Sequence, residues 1–364
     1  MGLTKKKRNL ELDALKGLAI LLVIIGHAIQ YNISDFKTNP FFNFIYSFHM
    51  PLFIFISGII SYFTVSIESI GDSLNVLAKK FKTLVIPFLS WYFIVNFLLR
   101  EDFLKESFSE YSLKIIKFPD FGLWFFWVLF LCFLVLVLIK TIQIFVSKIK
   151  KGLLEVFFYY FVTVIIMFLP IGTLGLNLLK WYFPFFISGF LLSKYKGSLS
   201  RFSEKAAQIS LVLFPILLTQ YKRLLDLDFI HYLHGLNGHI IIAINLSYRY
   251  LIGFVGIMVM FIIIKEIKRF KIFEKLVWLG NRTMEIYPLQ FYFVNIVGTN
   301  YVLRNLGVSV LTVSAATIIS LSASLMISCL LIRKSQLLCF LLLGISGNAE
   351  TKIFQSTIES SNTR

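Results

Sequence analysis

Ten stretches of the chain are apolar over roughly the length that a helix needs to cross a bilayer. They fall at 14–31, 41–63, 83–99, 121–139, 153–170, 177–193, 207–221, 240–264, 284–303 and 309–332. A span takes about 20 mostly apolar residues, and shorter runs cross with local thinning of the bilayer. The seventh stretch, around LVLFPILLTQ, is the weakest. A further run, LLCFLLLGISG at 337–347, is too short to span and is expected to lie at the interface. The pattern predicts an all-α polytopic membrane protein with about ten transmembrane helices. One integral membrane domain should cover residues 1–335. A short interfacial segment and a flexible cytoplasmic tail should cover 336–364.

Composition agrees with the pattern. Hydrophobic residues make up 57% of the 364 positions, charged residues only 15%, and the mean hydropathy is +0.80. Soluble proteins carry about 25% charge, so this much apolar surface has no place in one soluble core. The apolar run after the basic N-terminus is long and lacks a small-residue cleavage site, so it reads as a retained first span rather than a signal peptide. Cys132, Cys329 and Cys339 all lie in apolar stretches without metal-like spacing and read as buried fillers.

The net charge of +17 would suggest nucleic acid in a soluble protein. Here its distribution points to a lipid bilayer instead, with no nucleic-acid partner. If the N-terminus is cytoplasmic and the loops alternate, 25 of the 36 Lys and Arg fall on the cytoplasmic side and eight on the outer side. Three remain in or beside spans: Lys16, Lys180 and Arg249. Positive residues concentrate inside, so the count favours ten spans with both termini cytoplasmic. His231 and His234 are three apart, but Gly235, Asn237 and Gly238 favour a turn there, and no metal is expected.

Polar groups inside a bilayer are costly and each asks for a reason. The first span, LDALKGLAILLVIIGHAIQY, holds Asp13, Lys16 and His27. Lys16 and His27 are eleven residues apart, three turns and about 20°, so they share one helix face with a rise of about 16.5 Å. Asp13 lies close to the same stripe. Lys16 taken alone reads equally as a snorkelling anchor, and His27 as a satisfied structural histidine.

In the second span, FFNFIYSFHMPLFIFISG, His49 stands two residues before Pro51, which deprives the Ser47 carbonyl of its helical donor. His27 and His49 are at similar depth and are candidates to meet across neighbouring helices. General acid–base chemistry is the usual reason for such imidazoles, though a proton-coupled transporter would use the same pair. Arg249, with Asn245 one turn earlier, is a candidate for holding an acceptor, stabilising an oxyanion or pairing structurally. Glu285 sits in the first turn of the ninth span, where the helix dipole favours a carboxylate.

The segments LDALKGLAILLVIIGH, YSFHMPLFIFISG, LWFFWVLF, WYFPFFISGFLL and GNRTMEIYPLQ follow one another in that order. Together they resemble the acyltransferase-3 family of bacterial ten-span membrane acyltransferases, in the branch similar to fucose 4-O-acetylases, over roughly residues 8–335. Lys16 and His27 match the family's Lys or Arg, ten residues, then His; FHMP matches at His49. The family often carries two arginines after the second span, where this chain has Lys79, Lys80 and Lys82, which supply charge without arginine's bidentate fork.

The resemblance implies an O-acetyltransferase of the bacterial cytoplasmic membrane. It implies acetyl-CoA as co-substrate, no permanently bound cofactor, and an acceptor hydroxyl on a surface polysaccharide or its lipid-linked precursor. His27 would be the catalytic imidazole, with His49 orienting it, relaying a proton or polarising the carbonyl. Lys16, Lys80 and Lys82 would meet donor phosphates. Asp13 and Glu285 would support the site, and Arg249 and Asn245 would face the acceptor or oxyanion. The rival reading is a secondary transporter or polysaccharide-export permease, which accounts for the spans and buried charges but not for the Lys16–His27 spacing.

Overall fold

The structure is a computed structural model. It describes residues 9–95, 108–119, 123–146, 152–170, 172–223, 237–298 and 309–345. Among these, the regular structure is helical. The helices are α1 (Leu10–Asn32), α2 (Pro40–Thr64), α3 (Ile70–Lys80), α4 (Ile86–Ser90), α5 (Phe108–Lys117), α6 (Trp124–Phe145) and α7 (Gly152–Phe168). They continue as α8 (Leu176–Lys194), α9 (Lys196–Gln220), α10 (Gly238–Ile267), α11 (Lys271–Gly280), α12 (Thr283–Gly298), α13 (Ser309–Leu330) and α14 (Gln336–Leu343).

The protein is an all-α polytopic membrane protein. A helical segment occurs at each of the ten predicted stretches. Five helices among the described residues are long and apolar enough to cross a membrane: Leu10–Asn32, Pro40–Thr64, Trp124–Phe145, Gly238–Ile267 and Val310–Lys334. Two of the other stretches are broken up within the described residues. The third stretch is interrupted by π-helical turns at Phe81–Val85 and Trp91–Val95. The apolar part of α9 begins only at Lys205.

Burial runs as expected for lipid contact. On α7 the apolar side chains Leu153, Leu154, Phe157, Phe161 and Phe168 are exposed, whereas Glu155, Tyr159 and Thr163 are buried. A water-facing surface does not tolerate such a patch. Inside, Gln143 Nε2 donates to Glu155 Oε1 at 3.3 Å, so the buried carboxylate is hydrogen-bonded.

Segments expected as loops are helical, among them 108–117, which forms α5. The loop at 64–82 contains α3, whose N-terminus is closed by a capping box between Ser69 and Asp72. The loop at 265–283 contains α11, which buries Phe273, Leu276 and Leu279 on one face. The loop at 194–206 forms the first turns of α9. Charged residues end an apolar span without ending a helix, because Lys, Arg and Glu are good helix formers.

The chain divides into two compact units, Met1–Phe63 with Phe185–Ser324, and Thr64–Pro184 with Leu325–Arg364. In the first, α1 packs on α10, α11 and α12, and α9 packs on α10. Two glycine pairs bring backbones into direct contact. A Cβ on Gly17 would lie 2.0 Å from the Leu276 carbonyl oxygen, and one on Gly280 would lie 1.8 Å from that of Asp13. Gly58 and Gly189 form a second reciprocal pair, against the carbonyls of Phe186 and Phe55. Small residues permit this approach where the hydrophobic effect does not drive association. On α13, Ala316, Ser320 and Ser324 repeat every four residues and are fully buried.

In the second unit, α3 and the π-turn after it pack on α6. The run at 337–347 forms α14 and docks on α4: Trp91 Nε1 donates to the Leu342 carbonyl at 3.0 Å, and Cys339, Leu342 and Leu343 are buried. Gly344 ends that helix at φ +67°, and a Cβ there would fall 2.5 Å from the Thr83 Cα. The polar tail after residue 345, and the His231–His234 pair, lie outside the described residues.

Candidate functional site

Helix α1 begins at Asn9, whose side chain accepts from the backbone N–H groups of Glu11 and Leu12. Four residues on, Asp13 is buried and forms an ion pair with Lys16 at 2.7 Å. The Lys16 side chain retains 22% of its exposure. The i,i+3 spacing thus unites the two groups, and part of the Lys16 charge is already balanced.

Ten residues after Gly17, His27 is half-buried and meets α12. The Gln290 side-chain amide lies across its Nδ1, with Oε1 at 3.2 Å and Nε2 at 2.9 Å. The Phe291 ring stands edge-on to the imidazole at 5.8 Å. Gln290 is itself fully buried, its Nε2 is 3.4 Å from the Tyr287 carbonyl, and its own carbonyl accepts from Ser320 Oγ at 2.9 Å. Helices α12 and α13 therefore hold the group that holds His27.

His49 is buried on α2, and its Nδ1 is 2.8 Å from the Ile45 carbonyl. A carbonyl only accepts, so Nδ1 carries the proton and Nε2 of the neutral ring carries the lone pair. The Tyr46 ring stands edge-on to His49 at 4.7 Å, and Tyr46 Oη donates to Gln30 Oε1 at 3.0 Å. A Cβ on Gly26 would lie 2.9 Å from that Tyr46 ring. Tyr46 thus stands between the two histidine-bearing turns, which belong to one layer of the α1–α2 pair. Each imidazole is hydrogen-bonded to a group other than its fellow.

Arg249 on α10 commits its guanidinium to neighbours. Nε donates to Asn245 Oδ1 at 2.6 Å, one terminal nitrogen to the Arg223 carbonyl at 3.2 Å and the other to the Lys222 carbonyl at 3.1 Å. The Arg223 N–H in turn donates to Asn43 Oδ1 at 2.9 Å, and Tyr221 Oη to the Tyr46 carbonyl at 3.2 Å. Arg249 and Asn245 therefore clasp the chain leaving α9 and tie it to the start of α2. Glu285 is buried in the first turn of α12, where the N-terminal dipole favours its charge.

In the second unit, Lys79 and Lys82 are exposed and Lys80 is half-buried, with its Nζ 3.6 Å from the centroid of the Phe133 ring. Loss of water around Lys80, with the neighbouring charge of Lys79, lowers its pKa to about 8. Among the described residues no group of three His, Cys, Asp or Glu side chains is placed to hold a metal ion.

Gln290 is the functional candidate that sequence reasoning passed over. It lies inside the ninth apolar stretch, and a buried amide there is as costly as the Asn245 that drew attention. The same expense was the available signal.

A helical bundle that exposes apolar side chains along its helices and carries two hydrogen-bonded imidazoles within them is a membrane protein with polar groups in its interior. The chain belongs to the acyltransferase-3 family, whose acyltransferase domain matches residues 9–333. It is 30% identical over 195 residues to nodulation protein NolL of Mesorhizobium japonicum, covering 52% of this chain and 49% of that protein. NolL of Sinorhizobium fredii is 29% identical over 197 residues, covering 51% and 49%. The chain thus spans about half the length of the curated relatives it matches. No solved structure matches it.

Proposed function

We propose that the protein is a membrane-bound O-acyltransferase that moves an acetyl group from acetyl-CoA to a sugar hydroxyl of a surface polysaccharide or its lipid-linked precursor. Family membership supports acyl transfer, and the observation that carries the reading is the imidazole of His27, anchored through Nδ1 to Gln290. The resemblance to the fucose 4-O-acetylase branch supports acetyl and a sugar.

In the reaction, His27 Nε2 takes the proton of the acceptor hydroxyl as its oxygen attacks the thioester carbonyl. A C–O bond forms, the C–S bond breaks, and the departing CoA thiolate recovers the proton. The balance is the same if the acetyl group first rests on the imidazole. His49 offers a second lone pair, on Nε2, for relaying that proton. Lys16 meets donor phosphates by exchanging its Asp13 partner for them, and Asp13 holds it at the mouth meanwhile. Lys80 and Lys82 offer ammonium groups to the same class of anion. Arg249 and Asn245 shape the acceptor side through the chain they clasp, and Glu285 supports the start of α12. The enzyme works in the bacterial cytoplasmic membrane with ten spans and both termini cytoplasmic.

Calorimetric titration of acetyl-CoA into the detergent-purified protein tests the reading. Wild type should bind. Lys16→Ala should raise the dissociation constant about ten- to hundredfold, from the roughly 1.5–3 kcal/mol of a charge-assisted hydrogen bond. No binding to the wild type would remove acetyl-CoA as donor.

A further inference from the structure

Two arginines meet where the chain leaves α9, and they differ in what their guanidinium groups touch. That of Arg249 is engaged with Asn245 Oδ1 and with the carbonyls of Lys222 and Arg223. That of Arg223 makes no hydrogen bond or ion pair among the described residues, where the hydrogen bonds of Arg223 are all backbone ones. Its N–H donates to Asn43 Oδ1 at 2.9 Å, and its carbonyl accepts from Arg249 at 3.2 Å. Asn43 is buried on α2. The backbone of Arg223 is thus pinned by α2 and by α10, and the side chain is what remains without a partner.

That side chain is half-buried and lies on the imidazole side of the chain. Its positive charge acts on His49 of α2 and on Tyr221, both of which are buried. Tyr221 Oη donates to the carbonyl of Tyr46, whose ring stands edge-on to His49, so these groups share one corner of the first unit. An anchor that snorkels to lipid headgroups turns its charge away from such an interior. A guanidinium partly withdrawn from water is costly until an anion joins it. It is planar, permanently charged and forked, which suits it to two oxygens of one phosphate or carboxylate. A neutral sugar hydroxyl calls for no such charge. In the proposed topology this corner lies on the outer side, where the acceptor arrives.

We propose that Arg223 is a specificity-determining residue: its guanidinium holds an oxyanion carried by the acceptor, a phosphate of the lipid-linked precursor or a carboxylate of an acidic sugar, beside His49. This rests on the reading of the protein as a sugar acyltransferase, and it adds a negative charge to the acceptor's description. Arg249, which holds the Arg223 carbonyl, then serves the acceptor through Arg223.

The test is calorimetric titration of the full chain in a maltoside detergent, which brings no phosphate of its own. The probes are geranyl phosphate and methyl glucuronide, each against its uncharged counterpart, geraniol or methyl glucoside. Wild type should bind one anion at least about tenfold more tightly than its counterpart, and the anion with the larger gain names the source of the charge. Arg223→Gln should weaken that binding about ten- to hundredfold and leave binding of the counterpart unchanged. It should melt as wild type does, because both backbone bonds of residue 223 survive the change. Arg223→Lys should recover part of the affinity, as a charge without the fork. Wild type that binds neither anion better than its counterpart overturns the proposal, as does anion binding unchanged in Arg223→Gln. Competition by dihexanoyl phosphatidylcholine as strong as by the preferred anion also overturns it, and makes Arg223 a headgroup anchor. Arg223-dependent anion binding in a protein that transfers no acetyl group removes the transferase reading and leaves the anion site. Acetyl transfer without Arg223-dependent binding removes only the anion site.

Discussion

Substituting Gly17 by alanine tests how the His27–Gln290 pair is set. The added Cβ would lie 2.0 Å from the Leu276 carbonyl oxygen, whereas ordinary contact begins at 3.4 Å. Helices α1 and α11 must part by about 1.4 Å, the difference between those distances, because the obstacle is backbone and cannot swing aside. His27 lies ten residues beyond Gly17, and Gln290 ten beyond Gly280, about 15 Å along the helix in α1. A shift of that size at the crossing, carried for the most part to the contacts of Nδ1 with the Gln290 amide at 2.9 and 3.2 Å, takes them out of hydrogen-bond range.

Overpacking of this kind costs about 1–3 kcal/mol of stability. Misplacement of a catalytic group by about 1 Å costs about 10²-fold in rate. Gly17→Ala in detergent should therefore unfold at a lower temperature and turn over acetyl-CoA about a hundredfold more slowly. Gly71→Ala, whose Cβ would meet only Ser69 Oγ at 3.6 Å, is the control and should match wild type or exceed its melting temperature. A Gly17→Ala protein with wild-type melting and turnover would refute the claim that this crossing sets the site.

Other outcomes follow from named contacts. His49→Ala should lower acetyl transfer about 10²–10⁴-fold while the protein still inserts; near-normal turnover would remove the relay. Lys80, with its pKa lowered to about 8, is charged below that pH, so acetyl-CoA affinity should fall as pH rises from about 7 to 9. Lys80→Arg should abolish that slope, and a flat wild-type profile would exclude Lys80 as a donor contact. The same shift acts on stability in the other direction. Between about 8 and 10.5 the folded state binds fewer protons than the unfolded state, so this residue's contribution rises with pH. Arg249→Leu should destabilise the protein by about 2 kcal/mol or more through its lost carbonyl partners, and Arg249→Lys should rescue little of it; full stability in Arg249→Leu would make the clasp dispensable.

What could be read from the sequence was local. The spans follow from runs of apolar residues, and the Asp13–Lys16 pair follows from i,i+3 spacing on one face. His27 stood out because an imidazole in a span needs a reason. Its partner did not, because Gln290 is 263 residues away and only packing brings α12 to α1. Arg249 was legible as a cation within a span in need of an anionic or carbonyl partner, but not that backbone carbonyls of the chain leaving α9 would supply it. Helices α3 and α11 were hidden because a search for spans averages hydropathy. Their own signals were the Ser69–Asp72 capping box and the spacing of Phe273, Leu276 and Leu279. Glycines 17 and 280 were visible as residues, but their mutual contact belongs to the fold.

The claim that the protein acetylates a surface sugar through His27 meets its most direct test in mass spectrometry of surface glycans. Three strains suffice: one with the gene, one without it, and one carrying His27→Ala expressed and inserted to the wild-type level. The account predicts glycan masses in the first strain heavier by one acetyl unit at the modified sugar, with that unit missing from the other two. Identical masses in the first two strains, or full acetylation in the His27→Ala strain, would contradict it.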